Sequence, residues 1–311
     1  MTKYSAYPIK ESVNREQTVY YTLPDKMDGQ TGILLLISGF CGSPEANVYK
    51  KMRSLFADQY NLVVVNPTYL GMEFMDTCNQ ITIDDMQIHK LQQELPIAIK
   101  KQVFANGIFD LNTLFSLNLP FKIYMQIMAD LNETDDNFLE MGAVQAIDCM
   151  RALKAVYDII TKDGVPINPN RIIAYGHSHG AYLVHLCNRF FPHVFLLILD
   201  NSAWISPTYL KSPRFITFKI NSVNLEQVFD YRIASQNYDQ ELYSLEFLYN
   251  GFNNNANIII YQGVTDTLID HDAKSAIFDS VEHVTQISLN YFTKWRENIL
   301  IYSQLKKGRT Y

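Results

Sequence analysis

The chain has 311 residues, of which 48% are hydrophobic and 19% are charged, and its formal net charge at pH 7 is −6. This composition supplies a large apolar core and excludes a disordered chain, a fibrous protein or a small disulfide scaffold. Because the net charge is negative and no basic run is long enough to form an electrostatic footprint for nucleic acid, DNA and RNA are excluded as main partners. The four cysteines lie far apart without zinc-ligand spacing, as is typical of free thiols in a reducing compartment: Cys41, Cys78, Cys149 and Cys187.

The amino terminus lacks the continuous apolar stretch of a secretory signal peptide. The longest apolar runs, residues 33–37 and 194–199, are far shorter than the roughly 18 to 20 residues that cross a bilayer. We therefore expect a soluble, cytoplasmic protein that has no membrane partner.

Compact apolar blocks in the sequence predict the strands of a sheet that is covered on both faces. They occupy residues 32–38, 61–66, 171–175, 195–199 and 257–261. Amphipathic stretches between these blocks predict helices over residues 46–59, 139–160 and 180–191. The alternation of strand and helix predicts an α/β fold with a doubly wound, mostly parallel sheet, to which residues 19–22 add an antiparallel edge strand.

Two long segments interrupt this alternation. Residues 71–136 are helical in pattern, and residues 204–255 are polar, aromatic and rich in Asn. Both are too long for plain loops. We therefore predict one domain over residues 1–311, with two insertions that form a cap or lid.

The most informative motif is Gly-His-Ser-His-Gly at residues 176–180, between a predicted strand and a predicted helix. This G-x-S-x-G pattern is typical of a nucleophile elbow, in which a strained turn raises Ser178 and the flanking glycines avoid clashes. The amides at the start of the helix would face a developing oxyanion. The alternative interpretation is a glycine-bracketed turn that packs a helix or cradles a phosphate.

With this elbow in place, the chain resembles the α/β-hydrolase superfamily of serine hydrolases over nearly its whole length. The stretch from residue 167 to residue 182 is similar to esterase-type and prolyl-oligopeptidase-type members. The elbow together with residues 198–202, Ile-Leu-Asp-Asn-Ser, is similar to an uncharacterised bacterial family found in flagellin-glycosylation gene clusters.

The resemblance implies an oxyanion hole made of two backbone amides. His179 would supply one, and Phe40 or Cys41, in the loop after the first long strand, would supply the other. An ordinary strand-to-helix turn is the alternative for that loop. The resemblance also implies an acid at the same sheet edge, which would be Asp266 or, one strand earlier, Asp200.

The general base is not evident from the sequence. In this superfamily a histidine follows the last strand, but no histidine follows His283. If residues 285–292 form the last strand, its exit carries no group that titrates near neutrality. If residues 298–303 form it, which is the better strand pattern, the chain ends where the histidine is expected. His271, five residues after Asp266, is the candidate substitute and is predicted to lie on a loop at the same edge of the sheet.

These features predict a serine hydrolase that forms an acyl-enzyme at Ser178, without a metal or another cofactor. The narrower similarity favours an O-acyl esterase or acetyltransferase acting on small-molecule sugar esters or glycoconjugates. The missing late histidine leaves open a binding protein without turnover, or an enzyme truncated before its base. A prolyl-oligopeptidase-like peptidase is a further alternative.

Overall fold

The structure is a computed structural model that describes residues 4–10, 16–75, 80–235 and 239–289. The chain forms two compact units. The first unit comprises residues 1–72, 140–207 and 238–311, and the second comprises residues 73–139 and 208–237. Each unit contains its own sheet.

The strands in chain order are β1 (Tyr4–Lys10), β2 (Glu16–Thr22), β3 (Gly32–Ile37), β4 (Leu62–Pro67), β5 (Gln80–Thr82), β6 (Ile123–Asp130), β7 (Ile172–His177), β8 (Leu197–Asn201), β9 (Arg214–Ile220), β10 (Val223–Phe229), β11 (Asn257–Gly263) and β12 (Val284–Leu289). The α-helices are α1 (Asn47–Tyr60), α2 (Asp85–Glu94), α3 (Ile97–Val103), α4 (Leu111–Ser116), α5 (Ala143–Lys162), α6 (His179–Phe190), α7 (Leu245–Tyr249) and α8 (His271–Phe278).

The sheet of the first unit has eight strands in the order β1-β2-β4-β3-β7-β8-β11-β12. In the part of this strand order that runs from β4 to β12, every pair of neighbouring strands is parallel. Strand β2, in contrast, pairs antiparallel with both β1 and β4. The predicted doubly wound, mostly parallel sheet is therefore confirmed. Residues 19–22 do lie in an antiparallel strand, but the predicted edge position is wrong because β1 pairs with the outer side of β2.

The centre of this sheet is closed to solvent on both faces. Every residue of β3 and β4 is buried, as expected for parallel strands that carry helices on both sides. Helix α1 covers one face by packing Phe56, Ala57 and Tyr60 against the apolar side chains of these strands. Burial of each large apolar side chain contributes about 1.5–3 kcal/mol to the free energy of folding.

The residue that precedes the long helix α5 is Gly142, which has no side chain to cap the helix. The buried carboxylate of Glu140 replaces the cap, because it accepts hydrogen bonds from the amides of Gly142 (2.9 Å), Ala143 (3.0 Å) and Val144 (3.0 Å). Burial raises the pKa of Glu140 above its ordinary value, although these bonds act in the opposite direction. Negative charge at this position also complements the helix dipole.

The second unit differs from the sequence prediction. Residues 71–136 were expected to be helical, but they also contain β5 and β6, which join β9 and β10 in a four-stranded sheet of order β5-β6-β10-β9. Strand β6 buries Ile123, Met125 and Ile127 and exposes the residues between them. This alternation is the period of a half-buried strand. Helices α2, α3 and α4 cover the buried face.

The two predicted insertions do not coincide with the second unit. Residues 238–255, the end of the second insertion, belong to the first unit, where α7 lies. That the insertions at residues 71–136 and 204–255 form a cap or lid stays a prediction. No helix in the described parts of the chain is both long and apolar enough to cross a membrane.

Cys41, Cys149 and Cys187 are free thiols, and Cys78 lies outside the described residues.

A buried ion pair joins β8 to α8. Lys274 Nζ lies 3.1 Å from Oδ1 and 2.9 Å from Oδ2 of Asp200, and His185 Nε2 of α6 donates to Oδ2 over 2.9 Å. All three side chains are almost completely inaccessible to solvent. Burial raises the pKa of Asp200, but Lys274 and His185 outweigh it and lower this pKa to about 2. The carboxylate is therefore ionised at neutral pH.

Gly180 allows α6 to pack directly on the end of β3. A Cβ atom at this position would collide with the carbonyl oxygens of Ile37 and Ser38. A Cβ atom at Gly176 would likewise collide with the backbone of Ala181. Because backbone atoms block both positions, a rotamer change cannot make room. The two glycines of the motif are therefore required by packing.

We predict that Gly180→Ala lowers the free energy of unfolding by at least about 1–3 kcal/mol, since overpacking forces backbone shifts. Gly29→Ala is the matched control, because nothing lies within 4 Å of its Cβ position. Urea denaturation of both variants measures the difference. Equal stabilities of the two variants would contradict the packing described here.

We predict that Lys274→Met lowers the free energy of unfolding by about 3–5 kcal/mol, because it leaves Asp200 buried without its main counter-charge. The double variant Lys274→Met, Asp200→Asn removes both charges and retains an oxygen for the Ala203 amide, which donates to Asp200 over 2.7 Å. We expect it to recover most of the loss. Denaturation of the two single variants and the double variant measures the coupling energy between Lys274 and Asp200. If the loss of unfolding free energy in the double variant equals the sum of the two single losses, the two residues are not coupled and the prediction is wrong.

Candidate active site

Ser178 forms the turn between β7 and α6 in a strained conformation. Its φ of 54° and ψ of −122° are unusual for a residue with a side chain and cost on the order of 1–3 kcal/mol. Its amide donates to the Asn201 carbonyl over 2.8 Å, and its own carbonyl accepts the first bonds of the helix, from Ala181 and Tyr182. Within the described part of the chain, Oγ has no hydrogen-bond partner. This strained turn between a strand and a helix fits the predicted elbow, and the role of Ser178 as a nucleophile stays a prediction.

The loop after β3 lies directly beside the elbow. A Cβ atom on Gly39 would come within 2.8 Å of the carbonyl oxygen and Nδ1 of His177. The Gly39 amide donates to the Tyr49 hydroxyl over 3.0 Å, and the Tyr69 hydroxyl donates to the Ser38 carbonyl over 3.3 Å. Because the Gly39 amide already has a partner, the oxyanion donors predicted in this loop remain the two following residues.

Phe40 and Cys41 are those two residues. Both are partly exposed, and Cys41 has a φ of 60°. The Phe40 ring packs against Trp204, with centroids 5.4 Å apart, and edge-on against His179, with centroids 5.9 Å apart. The loop is thus fixed against the start of α6. That the backbone amide of Phe40 or Cys41 donates a hydrogen bond to an oxyanion stays a prediction.

The imidazole of His179 is buried and neutral. Gln145 Nε2 donates to the Leu70 carbonyl over 2.7 Å, so Gln145 Oε1 must accept from His179 Nε2, which lies 2.8 Å away. Burial lowers the pKa of His179 to about 3. This ring therefore cannot act as a general base near neutrality. The predicted part that His179 takes in the site is its backbone amide at the start of α6.

Asp266 lies in the turn after β11, at the same carboxyl edge of the sheet as Ser178. Its Oδ1 accepts from the amides of Leu268 (2.9 Å) and Ile269 (3.2 Å), and its Oδ2 accepts from Gln262 Nε2 (2.9 Å). No described histidine contacts this carboxylate. Its role as the acid stays a prediction.

Asp200, the alternative acid, is occupied by other partners. Its two oxygens accept from Lys274, His185 and the Ala203 amide. His185 is also held at Nδ1, 2.7 Å from the Tyr249 hydroxyl. Because His185 lies two helical turns beyond Ser178, its ring is about 10 Å along the helix from the serine.

His271 is the first residue of α8 and does not lie on a loop as expected. Its Nδ1 donates to Asp272 Oδ1 over 2.9 Å, and its Nε2 lies 2.7 Å from Ser288 Oγ. Ser288 belongs to β12, which is three strands away from β7. At about 4.8 Å per strand this separation is about 14 Å. In the described arrangement His271 therefore contacts neither Ser178 nor Asp266.

The last described strand is β12, which overlaps the predicted strand at residues 285–292. The alternative strand at residues 298–303 lies outside the described residues.

His283 precedes β12, and His193 precedes β8, so both lie at the amino edge of the sheet. His177 adjoins Ser178 on the exposed end of β7. None of the described imidazoles bonds to Ser178 Oγ.

Sequence reasoning missed two buried polar residues near the site, Gln145 and Lys274. Each is nearly inaccessible and occupies the apolar face of its helix. The available signal was position, because Gln145 lies four residues before buried Cys149 and Lys274 lies four residues before buried Phe278. A polar side chain on a buried helical face requires a partner, which indicates a structural or positioning role.

Solved structures of several hydrolases share this fold. An arylesterase has a TM-score of 0.53 and 13% identity, covering 98% of this chain and 84% of that one. An S-formylglutathione hydrolase from Agrobacterium tumefaciens has a TM-score of 0.52 and 11% identity, covering 98% and 95%. The Pyrococcus horikoshii acylaminoacyl peptidase has a TM-score of 0.54 and 11% identity, covering 95% of this chain but only 38% of the peptidase. At these identities the likeness shows the fold alone.

The strand order, the elbow and these neighbours together establish the α/β-hydrolase fold. No curated protein matches the sequence. One family profile, described as "Protein of unknown function (DUF2920)", matches residues 8–212, about two thirds of the length. The chain belongs to this family.

Proposed function

We propose that this protein is a serine hydrolase of the esterase type that forms an acyl-enzyme at Ser178. The observation that carries the proposal is the strained turn at the amino end of α6, where Oγ of Ser178 has no hydrogen-bond partner among the residues that the structure describes. A protein that used this turn only for packing would relieve the strain with glycine at position 178. The presence of serine in this strained conformation favours chemistry at the hydroxyl.

In the proposed reaction Ser178 Oγ attacks the ester carbonyl carbon and loses its proton as the tetrahedral oxyanion forms. The amide of His179, with that of Phe40 or Cys41, donates to this oxyanion. One such donor contributes about 2.7–4 kcal/mol of transition-state stabilisation. The alcohol then leaves with a proton, and water hydrolyses the acyl-serine to a carboxylic acid.

The proposal does not require an imidazole beside Ser178. Enzymes of this type that lose one member of the triad retain about 10³–10⁴-fold catalysis over water from the oxyanion hole and binding. In the described arrangement the Ser178 proton passes to solvent, and Asp266 provides negative charge at the sheet edge. His271 would act as the base only if its ring moved away from Ser288 and along the sheet edge to Ser178. We therefore expect slow turnover.

For the substrate we propose short O-acyl esters of sugars or glycoconjugates. Two observations support this choice. One is the similarity of the elbow and residues 198–202 to the bacterial family described above. The other is the pair of rings, Phe40 and Trp204, beside the start of α6, which suits a short acyl group. Free thiols at Cys149 and Cys187 are consistent with action in the cytoplasm.

A second candidate function is a binding protein that retains the fold without turnover. The specific observation is that none of the described imidazoles contacts Ser178 Oγ. This candidate predicts no burst of product with p-nitrophenyl esters. A prolyl-oligopeptidase-like peptidase stays a further alternative, since an acylaminoacyl peptidase shares this fold.

We predict that a fluorophosphonate probe labels the wild-type protein and fails to label Ser178→Ala. Ser288→Ala is the matched control, because Ser288 is the serine that lies within hydrogen-bond distance of His271. It should be labelled as well as wild type. Intact-protein mass spectrometry measures the modified fraction, and equal labelling of wild type and Ser178→Ala would exclude the proposed nucleophile.

We also predict that His271→Ala changes the rate of Ser178 labelling by less than about twofold, since its ring contacts Ser288 and Asp272. A general base contributes about 10²–10⁴-fold. The time course of labelling at neutral pH separates these outcomes. A decrease of a hundredfold would show that His271 reaches the serine during the reaction.

A further inference from the structure

One ring touches both halves of the proposed oxyanion hole. The His179 imidazole belongs to the residue whose amide begins α6, and it packs against Phe40 in the loop that supplies the second amide. The ring also packs against Tyr69, with centroids 6.1 Å apart, and the hydroxyl of Tyr69 binds the Ser38 carbonyl at the base of that loop. The ring therefore contacts side chains that belong to, or are bonded to, both elements that would supply the two amides.

Among the described residues, one polar side chain bonds to this ring. Gln145, fully buried on α5, lies 2.8 Å from His179 Nε2. Its amide cannot be reversed without losing the bond to the Leu70 carbonyl, so it presents only its oxygen to the histidine. The remaining contacts of the ring are aromatic, at 4.9 Å from Trp204 and 6.0 Å from Tyr182 between centroids. These fix its plane less strictly than a directional hydrogen bond.

We propose that Gln145 is a positioning residue for the oxyanion hole and acts through the His179 ring. This inference rests on the proposed function, since it concerns the same site. By accepting from Nε2, Gln145 fixes the ring in one tautomer and one orientation, and the ring maintains the spacing between the α6 amide and the loop amide. Oxyanion stabilisation depends on such fixed geometry, because a misplaced donor loses most of its effect.

The test uses Gln145→Met, which retains the length of the side chain and removes both hydrogen bonds. Gln17→Met is the matched control. Gln17 is also buried, and its Nε2 also donates to backbone carbonyls, those of Thr68 (2.7 Å) and Asp148 (3.0 Å), but it has no contact with His179. We expect Gln145→Met to slow acylation of Ser178 by p-nitrophenyl acetate at least tenfold with little change in KM, whereas Gln17→Met stays within twofold of wild type.

A double-mutant cycle with His179→Phe tests whether the effect passes through the ring. His179→Phe retains the backbone amide and an aromatic ring but cannot bond to Gln145. We expect it to slow acylation about as much as Gln145→Met does, and the double variant to be no slower than either. Two results would overturn the proposal. One is an acylation rate in the double variant that is lowered by the product of the two single effects. The other is a Gln145→Met rate within twofold of wild type.

Nuclear magnetic resonance of the ring separates this proposal from the proposed function. In wild type the Nε2 proton should be present, slow to exchange and insensitive to pH between 5 and 9. In Gln145→Met it should exchange rapidly. If wild type shows no Ser178-dependent acylation but the ring behaves as expected, the proposed function fails while the hydrogen bond stands. An Nε2 proton that exchanges equally fast in both proteins refutes the positioning role itself.

Discussion

The site depends on one constraint, the backbone strain at Ser178. A positive φ at a serine is unfavourable, and the turn persists because neighbouring elements leave no alternative. Gly176 and Gly180 allow α6 to contact β7 and β3 without side chains between them. The cost in folding free energy is offset by the buried core of β3, β4 and α1. The result is a hydroxyl held above the sheet edge beside the amides that begin α6.

Buried polar groups arrange the residues around this turn. Gln145 and His179 connect α5 to α6, and the pair of Asp200 and Lys274 connects β8 to α8. Apolar residues of similar volume would often be as stabilising as a buried ion pair. Such pairs are more specific, however, because hydrogen bonds require particular partners at particular distances. Lys274 Nζ also lies 3.1 Å from Gln262 Oε1, and Gln262 donates to Asp266. The ion pair thus extends to the predicted acid.

The central sheet could be predicted from the sequence because its strands are continuous apolar blocks. The elbow could be predicted because glycines bracket the serine between a strand and a helix. The second sheet could not, because β6 exposes every second residue over Ile123–Met128 and β9 buries none of its residues, so neither is a continuous apolar block. The contacts of His271 with Ser288 and of Lys274 with Asp200 join residues that are 17 and 74 positions apart. No local pattern encodes such tertiary pairs.

The central claim is that Ser178 accepts an acyl group, and acid-quenched peptide mapping tests it most directly. The protein is mixed with p-nitrophenyl acetate, quenched in acid at a series of times while the ester is in excess, digested and analysed by mass spectrometry. We expect one acetyl group on the peptide that contains Ser178, and its disappearance when the quench is delayed until the ester is consumed. An unmodified Ser178 peptide at every time, while the protein is folded and the ester is present in excess, would contradict the account.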